Sequence, residues 1–133
     1  TRTFGARLQR EAADVESADG AALEVGTVGD APIDASVSAL LAATREAMVN
    51  AARHGGGSAS VYAEVGSDDV EVFVRDRGPG FDPASVPADR HGLRESVVGR
   101  MERAGGSADV KSTIGTGTEV RLRIARDAGA PDD

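Results

Sequence analysis

Hydrophobic and polar positions alternate most cleanly over residues 69–75, DVEVFVR, where Val70, Val72 and Val74 share one parity. Such alternation marks a strand with one buried face. A second run, ASVYAEV at 59–65, precedes it, and the Gly66-Ser67-Asp68 link is short enough for a hairpin. Two more strands are predicted at 107–112 and 118–125, joined by Thr-Ile-Gly-Thr-Gly, and a short one at 21–28, AALEVGTV, weakened by Gly26. Elsewhere the period changes. Val37, Leu40, Leu41, Thr44, Ala47, Met48 and Ala51 recur at helical spacing and form the core stripe of a long helix. Asp34 or Ser36 is placed to cap it, and GGGS at 55–58 stops it after about Arg53. A polar, alanine-bearing helix is predicted over 5–16, and a second core helix over 93–104, LRESVVGRMERA, ended by Gly105 and Gly106. Residues 76–92 are irregular and rich in Gly, Pro and Asp, as in a binding loop or lid. Strand pairs separated by long helices predict an α/β (α+β) two-layer sandwich: a mixed sheet of about five strands with helices packed on one face. Residues 1–125 read as one domain and 126–133, RDAGAPDD, as a disordered tail.

The parity of the 69–75 strand singles out one residue. Asp76 continues the series Val70, Val72, Val74 and so points toward the buried side. A carboxylate there is costly unless something pairs with it. It opens DRGPGF at 76–81, which is either a strand ending in a turn or a site where Gly78 and Gly80 let a ligand approach the backbone while Asp76 accepts from a ligand amino group.

The long helix carries EAMVNAARH at 46–54, where Glu46, Asn50 and His54 fall at i, i+4 and i+8 with Arg53 beside them. The plain reading is a solvated helix face. Against it, asparagine is a poor former of helix interiors, and the stripe is narrow among alanines, as in a pocket wall. A carboxylate and an amide oxygen one turn apart can hold a hydrated Mg²⁺, a hard ion that keeps several waters. RHGLRES at 90–96 opens the later helix with a glycine and free amides, the makings of an anion site. GTGTEV at 115–120 is compatible with any hairpin. There is no GxxxxGK[ST] phosphate loop, and no GxGxxG follows a strand to open a helix.

Composition narrows the field. A net charge of -7 argues against nucleic acid as a partner. Without cysteine there is no disulfide or thiolate metal site, and with only His54 and His91 a histidine-based zinc site is disfavoured. No apolar run approaches the roughly 20 residues that span a membrane, and no signal peptide is visible. The chain starts at Thr1 rather than methionine and reads as a piece of a longer protein, whose membrane anchor, if any, lies in other sequence.

Four pieces in this order and spacing, over roughly residues 35–125, resemble the ATP-binding domain of bacterial sensor histidine kinases, the Bergerat fold of the GHKL ATPases. The resemblance extends to actinobacterial sensors that partner NarL-type helix-turn-helix response regulators. EAMVNAARH is similar to the N box. There Asn50 would ligate Mg²⁺, Glu46 would act catalytically at the metal–phosphate end, and Arg53 and His54 would lie near the phosphates. DRGPGF is similar to the G1 box, with Asp76 accepting from the adenine amino group and Gly78 and Gly80 letting the loop close over the base. His91, Gly92 and Leu93 resemble the G2 box, and Gly115, Gly117 and Thr118 the last glycine motif, with Thr118 near the base edge. One departure stands out: Arg90 occupies the place of the first G2 glycine.

The resemblance implies ATP and Mg²⁺ as cofactors. The partners it implies are the dimerisation and phosphoacceptor domain of the same parent and a response regulator. It implies a cytoplasmic placement, and a monomer for the isolated chain. Two rivals share the fold: an anti-sigma-factor-type serine kinase, and a degenerate interaction module without catalysis.

Overall fold

The computed structural model describes residues 3–82 and 93–126. Helix α1 (Phe4–Asp19) is capped by Thr3, whose side chain accepts from the Ala6 amide, and ends at Gly20 in the left-handed conformation. It outruns the expected 5–16 at both ends: Phe4 joins Leu8, Ala12 and Val15 in one buried stripe, and the last turn runs on to Gly20, whose amide donates to Glu16 O. Its start is also tied from outside. Asp30 Oδ1 accepts from the Gly5 amide at 2.8 Å and the Ala31 amide at 2.9 Å, and Thr3 bridges Pro32.

Strand β1 (Ala22–Val28) leads to helix α2 (Ala35–His54). Of the two candidate caps Asp34 is the one used: its Oδ1 accepts from the Val37 amide at 2.8 Å. All seven residues of the expected stripe are buried. Leu40 and Met48 are wholly so, each contributing ~2 kcal/mol by removal from water. Strands β2 (Ser58–Val65) and β3 (Asp69–Asp76) form the expected hairpin.

The helix expected over 93–104 takes a different form. Residues Leu93–Val98 wind as a π-helical turn that runs into a short α3 (Gly99–Arg103). Val97, Val98 and Gly99 are weak α-helix formers, so local preference does not enforce the tighter winding. The wider turn leaves Val97 and Met101 both fully buried. Strands β4 (Ser107–Thr113) and β5 (Gly117–Ala125) complete the chain. Arg126, the first residue of the expected tail, is held by the β2–β3 turn: its amide donates to Asp68 O at 2.7 Å and its guanidinium to Gly66 O at 2.9 Å. Residues 127–133 lie outside the described residues.

The sheet is mixed, in the order β1-β2-β3-β5-β4, with β1 parallel to β2 and every other pair antiparallel. The helices pack on one face, where Val61, Ala63, Val70, Val72, Val74, Val120, Leu122 and Ile124 meet Leu40, Ala47 and Met48 in one core. The opposite face carries ion pairs between β3 and β5: Arg75 with Glu119, Arg121 with Glu71, and Arg123 with Asp69. The fold is thus the two-layer sandwich that the strand and helix periods predict. Among the described residues no helix is long and apolar enough to cross a membrane.

Candidate functional site

At the end of the sheet where β3 finishes and β5 begins, Asp76 pairs directly with Thr118, and Thr118 with Ser112 of β4. The three side chains lie on the helix-facing side, in a row across three adjacent strands. The next row inward is Val74, Val120 and Val110. Among the described residues four polar side chains are buried; three form this row and the fourth is Thr44 of α2. A polar row at the rim of a valine sheet is expensive unless its groups are bonded.

The bonds are largely internal. Asp76 Oδ1 accepts from the Gly78 amide at 2.9 Å and the Thr118 amide at 3.2 Å. Both fall on Oδ1; among the described residues none falls on Oδ2. Ser112 Oγ accepts from the Phe81 amide at 2.8 Å, donates to Gly117 O at 3.2 Å and lies 2.8 Å from Thr118 Oγ1. The Gly115 amide donates to Pro79 O at 2.7 Å, so the β4–β5 turn and the segment after β3 are laced together.

The glycines of this segment serve the packing of the chain itself. A Cβ on Gly78 would lie 2.7 Å from the Gly55 backbone, and one on Gly80, at φ +66°, would lie 2.1 Å from Thr113 O. A Cβ on Gly117, at φ +128°, would lie 2.2 Å from Asp76 O. Each is required by the close approach of the chain to itself. A Cβ on Gly55, just past the end of α2, would sit 2.6 Å from Cβ of Asp76, so the C-terminus of α2 abuts the carboxylate.

The polar stripe of α2 leads back from that point. Glu46 is exposed, while Asn50 and His54 are half-buried. Arg53 faces elsewhere: its Nε donates to Asp19 Oδ1 of α1 at 3.2 Å. His91 and Gly92, with Arg90, lie outside the described residues; Leu93 opens the π-helical turn. The structure therefore brings together Asp76, Gly78, Gly80, Gly117 and Thr118 around one carboxylate. Glu46 and Asn50 stand apart, along the helix that ends there. Two clefts meet at Asp76, of about 530 and 390 Å³. Both are walled by Arg75 and Arg77, and neither by Glu46, Asn50 or His54. Arg75 is of opposite parity to Asp76, so both clefts reach the face without helices, and the first also touches Glu16 of α1.

The donor set fits a nucleotide carrying its own metal better than a protein-built metal cage. Among the described residues no group of three His, Cys, Asp or Glu side chains could hold an ion. Mg²⁺ commonly takes one or two protein ligands and completes its octahedron with phosphate oxygens and water. Ser112 is the residue that sequence reasoning missed. Its signal was parity: Ala108, Val110 and Ser112 share the inward face of β4, as the valines and Asp76 share that of β3. Only the β4–β5 register sets it beside Thr118.

The model of the family of histidine kinase-, DNA gyrase B- and HSP90-like ATPases matches residues 35–128. Solved structures share the fold, among them two from one organism. The histidine kinase domain from Erythrobacter litoralis EL346 blue-light activated histidine kinase is 24% identical with a TM-score of 0.67, the match covering 91% of this chain and 60% of that one. A second structure, of the Erythrobacter litoralis EL346 blue-light activated histidine kinase, is also 24% identical, with a TM-score of 0.70 and coverage of 91% and 44%. This chain therefore spans less than two thirds of either. Among curated proteins none matches.

Proposed function

The chain belongs to the family of histidine kinase-, DNA gyrase B- and HSP90-like ATPases, and on that premise we propose that it binds Mg-ATP as the catalytic domain of a sensor histidine kinase. The observation that carries the reading is the half-satisfied Asp76 carboxylate. Oδ1 is held by two backbone amides, and Oδ2 has no bond from a described residue. A fixed acceptor of this kind, on a largely buried residue, suits an amino group on the edge of a base. Asp76 is assigned the adenine amino group and Thr118 the base edge beside it. The metal end is assigned to Asn50 and Glu46, one and two turns up α2, with Glu46 in the catalytic role. His54, His91, Gly92 and Leu93 are assigned to the phosphates. Arg53 reaches them only by leaving Asp19. Gly78, Gly80 and Gly117 act by letting these segments close on one another.

The γ-phosphoryl passes to a histidine on a separate dimerisation domain of the parent: the bond to the β,γ-bridging oxygen breaks, a nitrogen–phosphorus bond forms, and ADP leaves. Such transfer is mostly positioning and stabilisation of charge on the phosphoryl oxygens. A bound Mg²⁺ would neutralise part of that charge. This chain's own share is to hold the base and the phosphates in line. The downstream partner in this reading is a response regulator of the NarL type, the parent is a cytoplasmic or membrane-anchored actinobacterial sensor, and the isolated domain is monomeric. Its charge of -7 sets nucleic acid aside.

Calorimetric titration of Mg-ATP and Mg-ADP into the chain and into Asp76→Asn tests this. The asparagine keeps an oxygen for the Gly78 and Thr118 amides but turns an N–H toward the base. We expect binding by the parent and a loss of tens-fold in the variant, from the ~1.5–3 kcal/mol of a hydrogen bond to a charged group, with folding unchanged. A folded parent that binds neither nucleotide would sink the reading and favour a non-catalytic interaction module of the same fold.

A further inference from the structure

We propose that Ser112 determines base specificity: it takes up the hydroxyl proton of Thr118 and so makes Asp76 and Thr118 a pair of acceptors that admits a 6-amino purine and rejects a 6-oxo one. The inference rests on the nucleotide reading above.

A serine hydroxyl has one proton and two lone pairs. The Phe81 amide donates to Ser112 Oγ at 2.8 Å and occupies one lone pair. Gly117 O, 3.2 Å away, is a carbonyl and only accepts, so it takes the one proton. The remaining contact, 2.8 Å to Thr118 Oγ1, is then a bond that Thr118 donates into the second lone pair of Ser112. The reverse assignment, with Ser112 donating to Thr118, would leave Gly117 O facing a lone pair with no proton between the two oxygens. Ser112 and Thr118 are both more than nine-tenths buried, so water does little to relieve that. The directions are therefore set by the carbonyl of Gly117.

With its proton committed, Thr118 has only lone pairs left for a ligand. Beside it on β3 stands the Asp76 carboxylate, whose Oδ1 already accepts from two amides. A 6-amino group brings two protons to this edge. A 6-oxo group brings lone pairs to lone pairs and leaves buried acceptors unmatched, the situation in which a hydrogen-bonding site discriminates strongly. Ser112 need not touch the nucleotide to do this. It acts through Thr118, and also through Phe81, by fixing the end of the DRGPGF segment to the start of β5.

The experiment is competitive binding of Mg-ATP and Mg-ITP to the full chain, the parent beside Ser112→Ala and Ser112→Thr. Alanine releases the Thr118 proton to turn toward the ligand. The ATP-over-ITP preference is expected to fall by about tenfold, the worth of one hydrogen bond. Threonine keeps the hydroxyl and is expected to retain the parent's preference. Equal losses for both nucleotides in Ser112→Ala, leaving the preference unchanged, would make Ser112 a scaffold residue and overturn the proposal. So would a fall in Ser112→Thr matching that in alanine, because volume rather than the hydroxyl would then be the cause. If Ser112→Ala does not fold, Thr118→Val reports on the same edge. It removes the lone pairs that repel the 6-oxo group and should also narrow the preference; no change would overturn the inference. A parent that binds neither nucleotide removes the nucleotide reading and this inference together, whereas binding with an unmoved preference removes this inference alone.

Discussion

A single carboxylate organises the candidate site, and its neighbours explain why the residues around it are so small. Asp76 is backed by Gly55, flanked by Gly78 and crossed by Gly117, each too close to the neighbouring chain to carry a Cβ. The backbone approaches until its amides reach the carboxylate, and those of Gly78 and Thr118 donate to it. Gly80 is the sharpest test. Alanine there meets both a left-handed φ and an oxygen at 2.1 Å. At Gly57, φ is +95° but no atom lies within 4 Å. Gly57→Ala should cost only the backbone penalty of about 1–2 kcal/mol. Gly80→Ala should cost about 3 kcal/mol or more. Urea unfolding midpoints at unchanged slope measure both. Equal losses would mean that the Thr113 contact relaxes freely and that the lacing of this segment is weak.

Among the elements, α1 depends most visibly on one exposed side chain. Asp30 lies in the β1–α2 connection yet bonds the first turn of α1. Its pKa is held below the ordinary 3.8, chiefly by the bond from the Gly5 amide, against the opposing effect of burial, with further help from the Ala31 amide and Thr3. A carboxylate whose folded pKa is lowered adds stability that is present above the unfolded value and lost as pH falls through the folded one. Helix α1 should therefore loosen at its N-terminus as the pH drops below 3.8, before the sheet does. Hydrogen exchange at the α1 amides across that range checks this. Asp30→Asn should flatten the acid-side change; an unaltered profile would show that the latch does not act. In α2, by contrast, the cap and the buried stripe belong to the same helix, and both were visible as a local pattern. The π-helical turn was not, because its winding is chosen by the burial of Val97 and Met101, not by the preferences of its own residues.

For the whole molecule, the arrangement leaves one partner of the proposed reaction elsewhere. His54 lies at the end of α2 beneath Gly78, and His91 belongs to the proposed phosphate motif, so neither is assigned as acceptor. Incubated with Mg-ATP, the chain alone should form no acid-labile phosphohistidine, and should do so only when a dimerisation domain bearing a histidine is supplied. Stoichiometric labelling of the isolated chain would refute the division of labour. What the sequence determined by itself is what local periodicity encodes: the five strands, the long helix with its seven-residue core stripe, and the inward direction of Asp76. These depend on side-chain parity and helical spacing, which neighbouring residues impose on one another. Tertiary structure decided what needs register between distant strands. Ser112 meets Thr118, and Thr118 meets Asp76, only because β5 lies between β3 and β4. The glycines close on Gly55, Thr113 and Asp76 only because those backbones converge at one end of the sheet. Arg53 turns to Asp19 only because α1 packs beside α2. A spacing along the chain carries no distance between segments 42 residues apart; packing supplies it.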